Sequence, residues 1–270
     1  MMKVYGIQTA KNNFKILIMN KKRLIARIDV KNEFAIKGIH LEGLRKVGNP
    51  NILARNYYHD GIDEIFFMDA VAAYYDRNSL SELIKEACKD VFIPITVGGG
   101  IRSIEDIKSS LKNGADKVAI NTKAVKEPSF IKHSSKIFGS QCIVSSIEAK
   151  FIKDNKWEVY IDNGREPTGI DVLEWAKHVE ELGAGEIMLT SIDREGTKKG
   201  FDLDLYKNIC NHISIPIIAS GGMGKSTDAI EVFKHTNIDA IAIASVLHYK
   251  IEPLKEIKNS ILSNQIRVRA

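Results

Sequence analysis

The sequence predicts an α/β fold, a single (β/α)8 (TIM) barrel built from two duplicated half-barrels. Two observations predict it. The segment IPITVGGG at residues 93–100 returns as IPIIASGG at residues 215–222, an offset of 122 positions. Short apolar runs also alternate with helical patterns, which is typical of βαβ units and a parallel sheet. The 270 residues suit such a barrel, which needs about 250, and the repeat is too long for a solenoid unit.

Apolar periodicity divides the chain into eight strands and eight helices. For example, Leu80, Ile84 and Ala87 follow the i, i+4, i+7 spacing of a helix that packs one face on a core. The predicted strands cover residues 24–30, 63–69, 93–97, 116–120, 142–148, 185–191, 215–219 and 239–243. The predicted helices cover residues 50–60, 79–90, 103–113, 127–137, 171–183, 203–211, 225–235 and 250–262.

Two connections are longer than the others. Residues 31–49 follow the first strand, and residues 151–168 follow the fifth. The second connection contains an alternating segment at 157–161 and an Asp-Asn-Gly turn at 162–164, so we expect a hairpin there. Both connections lie at the carboxyl ends of strands, the face where barrel enzymes keep their active sites. We expect the first of them to act as a lid.

Composition restricts the class of protein. Hydrophobic residues make up 44% and charged residues 27%, as in ordinary globular domains, and we assign residues 19–270 to one domain. No apolar run approaches the roughly 20 residues that span a bilayer, so a cytoplasmic protein without a membrane partner is expected. The net charge of +5 suits anionic small ligands. It equally suits nucleic acid, although no nucleic-acid partner is predicted.

The cysteines and the N-terminus are interpreted without special chemistry. Cys88, Cys142 and Cys210 are far apart, which favours three reduced thiols. No Cys/His cluster has the spacing of metal ligands, so neither a metal nor another cofactor is expected. Residues 1–18 stand outside the repeat, and we interpret them as an extension that precedes a natural start at Met19. A short structured arm is the alternative.

Two carboxylates occupy equivalent positions in the two halves. Asp29 ends the first predicted strand and Glu148 ends the fifth, and these strands face each other across a closed barrel of eight. Two carboxylates in one mouth serve general acid–base chemistry, because one can accept a proton while the other donates one. The alternative is that each carboxylate only pairs with a nearby lysine or arginine.

Glycine-rich loops also occur once in each half. GGG at 98–100 and SGG at 220–222 follow the third and seventh strands, while Asn-Thr at 121–122 and Ala-Ser at 244–245 follow the fourth and eighth. Glycines let backbone N–H groups approach an anion closely. Two equivalent phosphate sites predict a ligand with a phosphate at each end and its reactive middle between Asp29 and Glu148. A purely structural role for the glycines is the alternative.

Several motifs resemble one family in order along residues 20 to 262. They are residues 28–30 (IDV), 37–38 (KG), 97–101 (VGGGI), 115–118 (ADKV), 120–122 (INT), 189–197 (LTSIDREGT) and 219–222 (ASGG). The chain resembles the cyclase subunit of imidazole glycerol phosphate synthase, a lyase of histidine biosynthesis. The resemblance implies a duplicated barrel that takes ammonia from a glutaminase subunit, its partner in a heterodimer. The ammonia converts a ribulosyl aminoimidazole-carboxamide bisphosphate into imidazole glycerol phosphate and aminoimidazole carboxamide ribotide.

The resemblance also implies roles for individual residues. Asp29 and Glu148 are the catalytic carboxylates, and Lys37 lies on a mobile loop over the substrate. The two phosphate sites comprise Gly100, Asn121 and Thr122 on one side and Gly196, Gly222, Ala244 and Ser245 on the other. The residues that line the middle are Asp69, Thr190, Ser220 and Glu195. The residues of a salt-bridge gate at the ammonia entrance are Arg23, Glu64, Lys117 and Glu186, although each could instead be a partly solvated surface charge.

Three residues depart from the family pattern. Glu148 and Glu195 stand where the family has aspartate, and Arg27 replaces a small residue two positions before Asp29. Arg27 shares the orientation of Asp29 along the strand, so we expect a buried cation near the path of ammonia. These departures motivate a divergent paralogue that amidates a surface-glycan sugar. The sister bisphosphate isomerase and a degenerate, non-enzymatic barrel are two further candidates.

Overall fold

Eight parallel strands form a closed ring in the computed structural model, which describes residues 21–70 and 80–269. The ring strands are β1 (Arg23–Lys31), β4 (Glu64–Asp69), β5 (Ile95–Gly98), β6 (Lys117–Ile120), β7 (Ile143–Lys153), β10 (Glu186–Ser191), β11 (Ile217–Ser220) and β12 (Ala240–Ile243). The ring follows the order β10-β11-β12-β1-β4-β5-β6-β7 and closes where β7 pairs with β10. The predicted (β/α)8 barrel is therefore confirmed.

Helices follow the ring strands and cover the outside of the barrel. Eight of them correspond to the predicted helices, with ends shifted by a few residues: α1 (Pro50–His59), α2 (Leu80–Ala87), α3 (Ile104–Lys112), α5 (Ser129–Phe138), α6 (Val172–Glu181), α7 (Leu203–Cys210), α8 (Ser226–His235) and α10 (Leu254–Ser263). Two short helices were not predicted, α4 (Thr122–Lys126) and α9 (Ser245–His248). They follow the fourth and eighth ring strands, so even this detail recurs in both halves.

The two long connections are strands rather than open loops. Residues 31–49 form a hairpin of β2 (Phe34–Ile39) and β3 (Glu42–Gly48) that continues β1. In the fifth connection, β7 runs on to Lys153 and pairs with β8 (Lys156–Ile161), which in turn pairs with β9 (Glu166–Asp171). The predicted alternating segment and turn are present, and a second turn at 154–155 has positive φ at both residues, as tight hairpins require.

Side chains alternate between two buried layers along each ring strand. The larger layer lies between the strands and the helices, and it includes Leu24, Ile65 and Ile187. A smaller apolar cluster fills the inside of the barrel, comprising Ile25, Phe66, Met68, Ala119, Val144, Met188, Ile218, Ala240 and Ala242. Because the period is two, the positions after Ile25 that face inward are Arg27 and Asp29. The alternation along β1 therefore places both of these side chains inside the barrel.

Two further expectations from the sequence concern the N-terminal residues and the three cysteines. The extension predicted at residues 1–18 lies outside the described residues. The three cysteines are free thiols; burial raises the pKa of Cys210 to about 12, which disfavours its reactive thiolate form. Across residues 21–70 and 80–269, no helix is both long and apolar enough to cross a bilayer.

Candidate active site

Asp29 and Glu148 lie inside the same mouth of the barrel. Asp29 is on β1 and Glu148 on β7, four strands apart in a ring of eight, and both carboxylates are buried. Each lies near the carboxyl end of the ring section of its strand, because Asp29 pairs with Met68 and Glu148 with Thr190 in the neighbouring strands. The sequence-based placement of two opposed carboxylates therefore agrees with the structure.

Asp29 is held as an ion by two cations. Arg27 Nε donates to Asp29 Oδ1 at 2.8 Å, and Lys37 Nζ lies 3.6 Å from Asp29 Oδ2. Burial alone would favour the neutral acid, but the charges of Arg27 and Lys37 outweigh it and hold the pKa of Asp29 below its usual value. Asp29 is thus a carboxylate at neutral pH and can accept a proton.

Glu148 has neutral partners and the opposite shift. Asn121 Nδ2 donates to Glu148 Oε2 at 3.0 Å, and the backbone N–H of Gly164 donates to the same oxygen at 2.7 Å. Burial is the largest effect and raises the pKa of Glu148 to about 7. The alternative that each carboxylate only pairs with a nearby lysine or arginine therefore fits Asp29 but not Glu148. Two carboxyl groups with divergent pKa values are suited to separate base and acid roles.

Lys37 belongs to β2 of the hairpin, and its side chain is buried rather than carried on an open loop. Its side chain is 3% exposed and its ammonium contacts the Glu195 carboxylate as well as Asp29. Burial first, and then the charge of Arg27, lowers the pKa of Lys37 to about 8 despite Asp29. The hairpin also packs against the loop after β10: a Cβ on Gly196 would lie 2.2 Å from the Gly38 carbonyl oxygen. Lys37 therefore already covers the mouth in this structure.

The residues predicted for the first phosphate site line an open cleft of about 380 Å³ on the Glu148 side. Its lining includes the predicted residues Gly100, Asn121, Thr122 and Asp69. Sequence reasoning missed the cations that share it, Arg102, Lys123 and Lys126. Their signal was available, because each follows a glycine or Asn-Thr loop by only a few positions. Positive charge beside glycine backbone suits an anionic ligand.

The cleft at the second predicted phosphate site is not equivalent to the first cleft, contrary to the expectation from the repeat. The predicted residues Gly196, Gly222, Ala244 and Ser245 do line one cleft, but its volume is only about 10 Å³. Arg27, Lys37 and Glu195 line the same cleft, and the ammonium of Lys37 contacts the Glu195 carboxylate there. The two halves therefore share a backbone arrangement, but the clefts at their two mouths differ in volume.

The residues predicted to line the middle of the site lie in different parts of the mouth. Thr190 and Ser220 each accept a hydrogen bond of 3.1 Å from Arg27 Nη1. Asp69 lies across the mouth on β4 and lines the open cleft. Sequence reasoning also missed His248, which is buried on α9 with its Nδ1 2.7 Å from the Tyr57 hydroxyl. Burial and the nearby Lys37 lower the pKa of His248 to about 4, so the ring is neutral.

The four charges predicted at the barrel bottom form a closed ring of alternating sign. Arg23 Nη1 lies 2.8 Å from Glu64, and Arg23 Nη2 lies 2.5 Å from Glu186. Lys117 Nζ closes the ring at 3.3 Å from Glu64 and 2.8 Å from Glu186. The carboxylates are buried and the cations are mostly so, which does not fit the alternative of separate surface charges. A cavity of about 490 Å³ opens at the ring.

The fold and the position of the site define a (β/α)8-barrel enzyme with its chemistry at the carboxyl ends of the strands. Within that class, a model of the family described as "Histidine biosynthesis protein" matches residues 23–252. The chain is 60% identical over 207 residues to the imidazole glycerol phosphate synthase subunit HisF of Legionella pneumophila, covering 77% of this chain and 98% of that relative.

Two further relatives bear the same name. The HisF subunit of Lactococcus lactis is 45% identical over 252 residues, covering 93% of this chain and 97% of the relative. That of Methanococcus vannielii is 44% identical over 271 residues, covering 93% and 100%. The chain belongs to the HisF family of imidazole glycerol phosphate synthase subunits and is a cyclase-type enzyme of histidine biosynthesis. The suspected family is confirmed, and the isomerase and the non-enzymatic barrel are set aside.

The bottom ring generates the first prediction. Replacing Arg23 with alanine removes one of two cations and leaves two buried carboxylates to share Lys117. We expect a loss of about 3–5 kcal/mol in the free energy of unfolding, measured with urea, because an uncompensated buried charge is costly. Arg55→Ala is the matched control: its pair with Asp90 is nearly half exposed, so about 0–1 kcal/mol is expected. Equal losses in both variants would contradict this account.

Glu148 generates the second prediction. Its pKa is 4.5 in an unperturbed chain and about 7 in the fold, so the folded state keeps a proton that the unfolded state has lost. The stability this provides is complete below the unfolded value and disappears as the pH rises through the folded one. From about pH 5 to about pH 8, unfolding free energy should therefore fall more steeply for the wild type than for Glu148→Gln. Parallel pH curves would show that Glu148 titrates normally.

Proposed function

We propose that this chain converts a ribulosyl aminoimidazole-carboxamide bisphosphate and ammonia into imidazole glycerol phosphate, aminoimidazole carboxamide ribotide and water. The observation that carries the proposal is the pair Asp29 and Glu148, buried on opposite sides of one mouth with pKa values shifted in opposite directions. Nitrogen that adds to a substrate carbon must lose protons, and the departing ribotide amine must gain one. An ionised carboxylate and a protonated one meet these two needs.

The clefts on either side of this pair position the substrate. One phosphate binds in the open cleft, beside the glycine loop at Gly100 and the short helix that begins at Thr122. The other binds beside Gly196, Gly222 and Ser245, once Lys37 and Glu195 move to admit it. The reacting atoms then lie between Asp29 and Glu148. Holding both ends fixes the middle, which lowers the entropic cost of reaction.

Ammonia reaches the mouth through the barrel from the opposite face. The ring of Arg23, Glu64, Lys117 and Glu186 closes that face in this structure, and the apolar cluster around Ile25 lies beyond it. A glutaminase subunit docks over the cavity at the ring and forms a heterodimer with this chain. The relatives support this, because each is named as a subunit of a synthase. A gating role also accounts for charges whose burial is otherwise costly.

Turnover without a partner tests the reaction. The purified chain, the bisphosphate and a high concentration of ammonium near neutral pH, where Glu148 is still partly protonated, should give imidazole glycerol phosphate. Asp29→Asn should reduce the rate by about 10²–10⁴-fold, because it removes the base while keeping the shape. Glu148→Asp, which restores the usual family residue, tests whether the extra methylene matters. A folded wild-type chain that gives no product refutes the proposal.

Coupling to glutamine tests the ammonia route. In the complex with its glutaminase, Lys117→Gln opens the ring while leaving both carboxylates at the mouth in place. We expect less imidazole glycerol phosphate per glutamine hydrolysed, measured as the ratio of imidazole glycerol phosphate to glutamate. Turnover with added ammonium should stay close to that of the wild type. Lys108→Gln, on the exposed face of α3, is the control and should remain coupled. Unchanged coupling in the Lys117 variant would exclude the ring as the gate.

A further inference from the structure

Arg27 is a buried cation at the centre of the barrel mouth. It faces inward on β1 between Ile25 and Asp29 and is 3% exposed. Its guanidinium reaches Thr190 on β10 and Ser220 on β11, which β12 separates from β1 in the ring. The side chain therefore extends across part of the lumen. Burying a guanidinium costs several kcal/mol, and hydrogen bonds and ion pairs must compensate for this cost.

The contacts of Arg27 leave part of its binding capacity unused. A guanidinium has five N–H donors. Nε donates to Asp29 at 2.8 Å, and Nη1 donates to the two hydroxyl groups of Thr190 and Ser220 at 3.1 Å each. Nη2 donates no hydrogen bond to any residue within 21–70 and 80–269. Two strong donors of a nearly buried cation thus remain available.

These donors belong to the cleft that is predicted to hold a phosphate. Arg27 lines the narrow cleft together with Gly196, Gly222 and Ser245, and it does not line the open one. Lys37, the second cation of the narrow cleft, is already engaged with Glu195 and Asp29. The N–H groups of a guanidinium form strong charge-assisted hydrogen bonds with phosphate oxygens, and the planar group fixes the direction in which the Nη2 hydrogens point.

We propose that Arg27 is a specificity-determining residue that forms the floor of the narrow cleft and binds an oxygen of the substrate phosphate there through Nη2. The proposal rests on the proposed function, since it assumes a substrate with a phosphate on this side. Nε keeps the guanidinium fixed to Asp29, so the same side chain links phosphate binding to the orientation of the carboxylate. A small residue at this position could provide neither contact.

Equilibrium binding tests the proposal without turnover. The bisphosphate is titrated into the chain by calorimetry in the absence of ammonia. Arg27→Gln, which keeps much of the length but loses the charge, should weaken binding by about 10- to 100-fold, as the loss of a charge-assisted contact predicts. Arg27→Lys keeps the charge but not the planar fork, and should weaken it less. Arg55→Gln, on the surface, should bind like the wild type. Unchanged affinity in a folded Arg27→Gln variant overturns the proposal.

A wild-type measurement covers the case in which the glutamine variant does not fold. In protein labelled with ¹⁵N-arginine, the Nε–H signal of Arg27 is assigned as the one missing from Arg27→Lys. Titration with inorganic phosphate should shift that signal, and saturation without a shift overturns the proposal. If the wild type does not bind the bisphosphate but phosphate moves the signal, the proposed function fails and the role of Arg27 stands. If the wild type and Arg27→Gln bind the bisphosphate equally well, the role of Arg27 fails and the proposed function stands.

Discussion

Closure of eight parallel strands into a ring is the constraint on which the site depends. Because side chains alternate along each strand, closure forces every second residue into a narrow lumen. On β1 this places Arg23, Ile25, Arg27 and Asp29 in succession from bottom to mouth. A cation of the bottom charge ring, an apolar side chain, a buried guanidinium and a carboxylate thus occupy successive levels of one strand. A shift of one residue in the pairing of β1 would point all four at the helices instead.

The sequence was sufficient for the architecture because duplication and periodicity are local signals. The eight ring strands, eight main helices and opposed carboxylates could all be read from spacing alone. The hairpin at Phe34–Ile39 and Glu42–Gly48 was expected only as a loop, because its pairing depends on β1 and on contacts with the loop after β10. The short helices α4 and α9 were missed because they span less than two turns and leave little periodic pattern.

The chemistry of the site was less accessible than its location. Glu148 and Asp29 look alike in sequence, yet their pKa values diverge, because burial dominates at Glu148 whereas the charges of Arg27 and Lys37 outweigh burial at Asp29. Likewise, the repeat suggested two equal clefts, whereas the cleft that Arg27, Lys37 and Glu195 line is far smaller than the other. Duplication preserved the backbone, and substitution of a few inward residues made the halves unlike. Such differences arise from three-dimensional neighbours, which spacing does not show.

The charge ring at the bottom has a consequence for what can occupy the lumen above it. Its two cations and two carboxylates cancel, and because their signs alternate, their potentials largely cancel a short distance along the axis as well. Beyond the ring lie Ile25, Phe66 and Met188, which offer no hydrogen bonds in place of water. An ion entering this section would lose its hydration without a compensating field, whereas a small uncharged molecule would lose far less. The lumen above the ring therefore discriminates between molecules by their solvation energy rather than by the sign of their charge.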